Sequence, residues 1–428
     1  MPPLSARARS DDRLRHLLVL LVVAISGNPN FTMGSPLTES VLIATSVLMT
    51  GLLLYRATGR LLHADFVLVM AAFGAILLLQ SISFAFLPLY TIVGACLRIY
   101  VAYSLMRLSA DFGRSYVNVM VLLGIVSLCF YVPDTLLKLA GSNLRHFFPP
   151  IGMYTVARYH HIGVHNFGDI NFISYRNSGF FWEPGAFAGF LLLAMIFLAL
   201  RRDAFTPSGY WKRLALLGAC LLTTLSTMGY LVLPLALLLN FWPMLAATKS
   251  PAARLLPVVG AGVLVAGMVV AFQSLTFMEG KMSRQMEKVV GRDTGWEMTR
   301  MGSFLFDLEY IQRRPILGWG LHGSTRFSLH PGSSLAGKHG NGMSDFATKY
   351  GLAGVTVFLV MCIRGFYAMT GRHALKTLMI LVMLFMVLTG ETFLGASLFL
   401  SMMFLRTQPS FHESTRAPQT LLAQPQRT

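Results

Sequence analysis

Apolar stretches of about 20 residues recur from one end of this chain to the other, each long enough to cross a hydrocarbon core as a helix. That repetition restricts the fold more than any motif does. Lipid offers no water to backbone polar groups, so a spanning segment must be a helix or part of a closed barrel. Continuous apolar runs, rather than strict alternation, select the helix. About twelve spans are expected, at 14–32, 37–55, 62–87, 88–108, 115–133, 180–200, 213–227, 229–247, 255–275, 347–369, 374–389 and 391–406. The first, seventh, eleventh and twelfth are short or interrupted. Hydrophobic residues make up 54% of the 428 and charged ones 12%, which a soluble domain does not match. The expected fold class is all-α: a polytopic membrane protein with residues 1–406 as one transmembrane domain. Residues 407–428, rich in Pro, Gln, Ser and Thr, read as a disordered cytoplasmic tail.

The placement of charge orients the spans. Short cytoplasmic loops collect Lys and Arg. Basic clusters occur before the first span (Arg7, Arg9, Arg13, Arg15) and then at Arg56/Arg60, Arg107/Arg114, Arg201 to Arg213, Lys249/Arg254, Arg372/Lys376 and Arg406. They fall on every second connection. Both termini are therefore expected in the cytoplasm, with two long segments, 134–179 and 276–346, facing outward. The N-terminus imitates a signal peptide, but its removal breaks this alternation, so an uncleaved first helix is expected. The formal charge of +17 is mostly this topogenic signal plus attraction to anionic lipid. No basic stretch interleaves with aromatics in a soluble domain, so nucleic acid is not an expected partner. Cys96, Cys129, Cys220 and Cys362 all fall within expected spans and suggest neither disulfides nor a metal site.

No cytoplasmic loop can house a catalytic domain, and no Asp-x-Asp is present for a nucleotide-sugar metal site. Chemistry is therefore expected at the outer face, on a donor already delivered there. The second outward segment is the more unusual of the two, holding nine Lys/Arg, seven Asp/Glu and three His between Thr276 and Phe346. A bilayer-spanning chain needs no such island to fold. The stretch Trp296 to Gln312, with Met301, Phe304, Leu305 and Leu308 at helical spacing, fits a helix on the membrane surface or capping the bundle. Gly318-Trp319-Gly320-Leu321-His322-Gly323 matches GxGxxG as a string but lacks the strand and helix of a dinucleotide site. Its glycines suit a tight turn that brings backbone close to a ligand or a helix end.

The candidate site residues divide between the two outward segments. Arg176 precedes the sixth span, and its guanidinium suits a phosphate through parallel hydrogen bonds, or an ion pair with Glu183. Glu183 lies at the mouth of that span, before Pro184. It reads either as a charge favourable at a helix start or as a base that orients an acceptor hydroxyl. In the island, Arg326 sits among small and apolar residues that suggest a defined partner. His339 is a loop imidazole able to take a hydroxyl proton near neutral pH. Arg98 falls near the middle of the fourth span, where an unpaired charge costs roughly 2.5–3.5 kcal/mol, so it must face an acid or a polar cavity. His161 and His165 are four apart, as two metal ligands on a helix would be. Gly163 weakens that helix, leaving surface or glycan-contacting histidines as the other reading.

RNSGFFWEPGAFAGFL from Arg176, PILGWG from Pro315 and a His/Asn-containing run leading into KYGLAG together resemble the O-antigen polymerase/ligase family. These are bacterial inner-membrane glycosyltransferases acting on polyprenyl-diphosphate-linked sugars. The resemblance runs from Arg176 to the last span and implies a GT-C-like arrangement. It makes Arg176 and Arg326 contacts for the donor diphosphate or glycan; Arg98, Asn341 and Asp345 are further candidates on the substrate side. It makes His339, or else Glu183, the base. Arg326 and Gly337 match an Arg-x10-Gly spacing of polymerase loops. The family's His-Asn pair is interrupted here as His339-Gly340-Asn341, which displaces His339 by one residue. The Ser-Arg-Gly between the seventh and eighth helices survives only as Ser226-Thr227-Met228-Gly229. The resemblance implies no cofactor and no metal. It implies a polyprenyl-diphosphate-linked glycan and membrane lipid as partners, with a flippase and a chain-length regulator alongside. Polymerisation of repeat units is the first expectation, encouraged by FWEPG, and transfer of a finished glycan by a ligase the second. A polysaccharide or glycolipid transporter is the competing class, with Arg98 as its one mid-span charge and no repeated halves.

Overall fold

Pro184 shows how sequence sets an element here. It occupies the first helical turn, where its missing N–H costs nothing, and the apolar run behind it continues to Leu200. That helix is apolar on every side, so it can only be stable at the centre of a bundle or in lipid. In the computed structural model it takes the centre, buried from Gly185 to Leu198. The structure describes residues 6–32, 37–56, 61–151, 159–169, 175–247, 300–331 and 340–409. The expected ninth span (255–275), the first part of the island and the tail beyond residue 409 lie outside them, while Thr407 and Gln408, at the start of that tail, are buried against the bundle.

In chain order the helices are α1 (Ala6–Gly27), α2 (Leu37–Arg56), α3 (Ala64–Ser83), α4 (Leu89–Leu108), α5 (Phe112–Leu139), α6 (Pro184–Leu200), α7 (Pro207–Thr223), α8 (Thr227–Ala247), α9 (Arg300–Arg313), α10 (Gly342–Met369) and α11 (Ala374–Gly390). The central α6 packs against α5, α7, α8 and α11, while α4 and α10 pack against the C-terminal segment. Among the described residues, six helices (α2, α3, α4, α5, α8 and α10) are long and apolar enough to cross a membrane, and α6 and α11 are shorter apolar helices. The outer faces of α2 and α3 expose Val47, Leu48, Leu54, Leu68, Leu78 and Ile82, each about half exposed or more. A bundle in water would carry polar groups there. The chain is an all-α membrane protein in its main features.

Three details depart from the expected spans. The outward segment 134–179 contains a small antiparallel hairpin, β1 (Tyr159–His161) paired with β2 (Asn166–Asp169), turning at Gly163 in a positive-φ conformation. The expected twelfth span is not one α-helix. It runs as a 3-10 turn (Phe393–Gly395), one α-turn (Ser397–Leu400) and a second 3-10 stretch (Ser401–Thr407). The tighter 3-10 winding rises about 2 Å per residue, so a short segment reaches further than an α-helix of equal length. Finally, α10 is broken at Gly351, whose φ of 66° lies outside helical geometry.

The break in α10 explains the glycine turn of the island. Trp319 and Gly320 donate their N–H groups to the carbonyls of Thr348 and Lys349 at 2.8 and 3.0 Å. Leu352 and Ala353 donate to the carbonyls of Pro315 and Ile316 at 2.7 and 3.1 Å. Residues 315–320 thus replace the hydrogen bonds the helix loses. The Gln80 amide from α3 adds bonds to the carbonyls of Leu317 and Lys349. Broken helices persist at membrane depth when neighbouring groups satisfy the freed backbone in this way. A Cβ at Gly318 would lie 2.6 Å from the Gly351 nitrogen, so the turn fits only without one.

Candidate functional site

Glu183 directly precedes α6, yet its side chain makes no capping bond to that helix. It lies against Glu391, the residue that closes α11. Two glycines let these elements meet. A Cβ at Gly185 would lie 2.6 Å from Oε1 of Glu391, and one at Gly342 would collide with the Glu391 carbonyl. Arg300, at the start of α9, donates through Nη2 to Glu391 Oε1 at 2.9 Å. Arg176 donates through Nε to the Thr224 carbonyl at 3.2 Å and lies in the field of Glu183, Arg300 and Glu391. Two carboxyls and two guanidiniums therefore share one region, where α6 and α9 begin and α11 ends.

The electrostatics of the pair differ from those of surface acids. Glu391 is 7% exposed. Burial first, and then the charge of Glu183, push its carboxyl well above the usual carboxylate range, with Arg300 opposing. A carboxyl held neutral beside a second carboxyl can bridge to it through its own proton. The arrangement can accept or release a proton at a mouth partly shielded from water.

Beside it lies a cavity of 540 Å³, lined by Trp182, Thr392, Arg98, Lys349, Arg326 and Asp345 among others. Trp182 and Thr392 are the chain neighbours of Glu183 and Glu391, which joins the cavity wall to the carboxyl pair. Arg98 does line a polar cavity, and it makes no ion pair with any described residue.

Arg326 has defined partners within the chain. Its side chain is 1% exposed and pairs with both Asp307 and Asp345, the latter at 3.2 Å. Asp345 also holds Lys349 at 2.5 Å, and Ser344 Oγ donates to Asp307 at 2.6 Å. Burial pushes Asp307 up to about 6, with Arg326 opposing and Asp345 reinforcing the shift. An Arg committed to two buried carboxylates positions α9 against α10 before it contacts any ligand. Asn341 likewise has a structural task, since its Oδ1 accepts the Ser344 N–H at 3.1 Å and caps α10. His339 and Gly337 lie outside the described residues.

The histidine pair is corrected. His161 and His165 sit on a hairpin, not a helix, and are buried rather than presented at the surface. A His161 ring nitrogen, Nε2, bonds the Phe180 carbonyl at 3.2 Å, and His165 stacks on Phe130. Sequence reasoning passed over Arg300 and Glu391. A signal for Glu391 exists, since it is the sole acid between Asp345 and Glu413 and directly follows a helix-ending Gly390. What fold and site define is a helical membrane protein carrying an Arg/Glu cluster beside a charged cavity at one end of its bundle. No family model and no curated protein matches the chain.

Proposed function

We propose that the chain is a membrane glycosyltransferase that polymerises polyprenyl-diphosphate-linked oligosaccharide repeat units into a surface polysaccharide, at the outer face of a bacterial inner membrane. The observation that carries this reading is the Glu183–Glu391 pair, framed by Arg176 and Arg300, next to a cavity that holds further cations. Glycosyl transfer from a diphosphate needs a base for the acceptor and positive charge for the leaving group, and the region offers both.

In this reading the acceptor sugar hydroxyl attacks the anomeric carbon of the donor. A C–O bond forms there, and the bond to the diphosphate oxygen breaks, with its electron pair leaving on the diphosphate. Glu183 takes the hydroxyl proton. Glu391 holds Glu183 and Arg300 in place and carries the proton the pair shares. Guanidinium groups stabilise the charge that grows on the diphosphate. His339 is the other candidate base, and its own variant separates the two.

The test uses Glu183→Gln, Arg176→Gln and His339→Ala, each with membrane levels confirmed as normal. Loss of a positioned base is worth about 10²–10⁴ in rate, so either Glu183→Gln or His339→Ala is expected to abolish visible polymer. Arg176→Gln is expected to reduce it strongly. Polymer formation retained in all three removes this site assignment. A ligase remains the second reading, because the same chemistry serves a finished glycan. Dependence on an added lipid or protein acceptor would favour it.

A further inference from the structure

The carboxyl pair depends on where the backbone puts Glu183, and α6 does not decide that. Glu183 is extended, with φ −155° and ψ 165°, and makes no capping bond to the helix. The residues before it, Gly179 to Trp182, form neither helix nor strand and are buried. Buried carbonyls outside regular structure need donors from elsewhere. Here the donors come from the outward hairpin. The Asn166 N–H donates to the Gly179 carbonyl at 2.7 Å. The Asn166 side-chain amide donates to the carbonyls of Phe181 and Trp182 at 3.1 and 2.9 Å. His161 Nε2 meets the Phe180 carbonyl at 3.2 Å. Two hairpin residues thus hold four successive carbonyls on the way to Glu183.

Both side chains are themselves fixed. The Gly163 N–H donates to His161 Nδ1 at 2.9 Å, so Nε2 is the ring nitrogen that carries hydrogen. Asn166 Oδ1 accepts the Gly168 N–H at 3.0 Å, which sets the amide with its NH2 toward Phe181 and Trp182. The hairpin is also anchored without α6. Asn28, one residue past α1, donates through Nδ2 to the Gly163 carbonyl at 3.0 Å, and His165 stacks on Phe130 of α5. A frame tied to α1 and α5 on one side, and gripping the run before α6 on the other, sets the position of that run.

We infer that the outward hairpin is a clamp that positions Glu183 against Glu391, with Asn166 and His161 as its positioning residues. The inference rests on the transferase reading only for what the carboxyl pair does, and the clamp itself is read from titration of the pair, which requires no turnover. With the clamp released, Glu183 moves off Glu391 and water reaches both. Glu391 then loses part of what holds it protonated, so its titration midpoint falls. Arg176 and Arg300, the charged groups around the pair, stay as they are.

The experiment follows the purified full chain in lipid by infrared spectroscopy through a pH titration, reading the protonated-carboxyl band that is lost in Glu391→Gln. In Asn166→Ala the midpoint of that band is expected to fall by about half a pH unit or more. The same fall is expected in His161→Ala. His161→Gln, whose amide can still donate to the Phe180 carbonyl, is expected to titrate close to the unsubstituted protein. Tyr116→Phe removes a buried 3.0 Å bond to the Phe190 carbonyl of α6, far from the hairpin in sequence, and is expected to leave the midpoint in place. If Asn166→Ala does not fold, the two His161 variants decide the matter. A midpoint unmoved in the alanine variants, or moved as far by His161→Gln or Tyr116→Phe, overturns the clamp, as does a spectrum with no such band. In a turnover assay, kcat of Asn166→Ala is expected to fall about tenfold or more with KM for the lipid-linked unit within about twofold, because misplacing a reacting group costs rate before binding. A shifted midpoint in a chain that forms no polymer sinks the transferase reading and leaves the clamp standing.

Discussion

In the proposed mechanism Glu183 and Glu391 bear on the same proton although they are far apart in the chain, and single-residue changes should separate their roles. In Glu391→Gln the pair loses one ionisable member but keeps its shape. Glycosyl transfer in a reconstituted assay is expected to fall by about 10²-fold, and the pH profile of the residual rate to shift, which a merely structural role would not produce. An unshifted profile at near-normal rate would remove Glu391 from the mechanism. Arg326 should behave otherwise. Removing one partner of a buried ion pair costs about 3–5 kcal/mol because the other is left uncompensated. Arg326→Met is therefore expected to lower thermal stability in detergent and the amount of protein in membranes. Normal stability with lost activity would return Arg326 to the role of a substrate contact.

At the scale of elements, the break in α10 and the outward hairpin make separate claims. Gly351 combines a φ of 66° with a Cβ position that collides with the Ile316 carbonyl, so Gly351→Ala is expected to destabilise by more than about 1–2 kcal/mol. Gly218, in α7, has open space where a Cβ would go. Gly218→Ala should be neutral or stabilising by up to about 1 kcal/mol. Thermal midpoints of the two variants test both. The hairpin should respond to acid. Burial lowers His161 to about 4 and, with His161 and Lys138 adding to it, His165 to about 3. The unfolded chain takes up protons near 6.5, before the folded hairpin does. Stability from these neutral rings is present above about 6.5 and is lost as pH falls through 4 and then 3. Hydrogen exchange at 159–169 should quicken between pH 7 and pH 5 relative to α6, after correction for intrinsic rates. A hairpin equally protected at both would contradict this.

The helices were legible in sequence because apolar length and flanking charge are local signals. Helices α2, α3, α4, α6, α8 and α11 begin and end within about four residues of the expected spans, and α5 runs six residues further, to Leu139. The last segment read as short or interrupted, but its winding was not legible because a 3-10 run has the composition of an α-helix. The site was half legible. Glu183 and Arg98 were visible as charges in apolar surroundings, whereas Arg300 and Glu391 acquire meaning only when α9 and α11 are brought to α6. Arg326 looked available because its acids, Asp307 and Asp345, lie a helix away on either side. Pairing of that kind is tertiary information.

For the whole molecule, two carboxyls and several cations gather beside one cavity in a bundle whose outer faces are apolar. A transporter also gathers charge around a cavity, but it forms no bond. Whether this region joins sugars is decided by reconstituting the purified chain in lipid vesicles with a polyprenyl-diphosphate-linked repeat unit and separating the products by size. A glycosyltransferase of this kind gives a ladder of lipid-linked products with one diphosphate lipid released per added unit, lost in Glu183→Gln or in His339→Ala. Movement of the lipid-linked unit across the vesicle membrane with no new glycosidic bond would contradict the transferase reading.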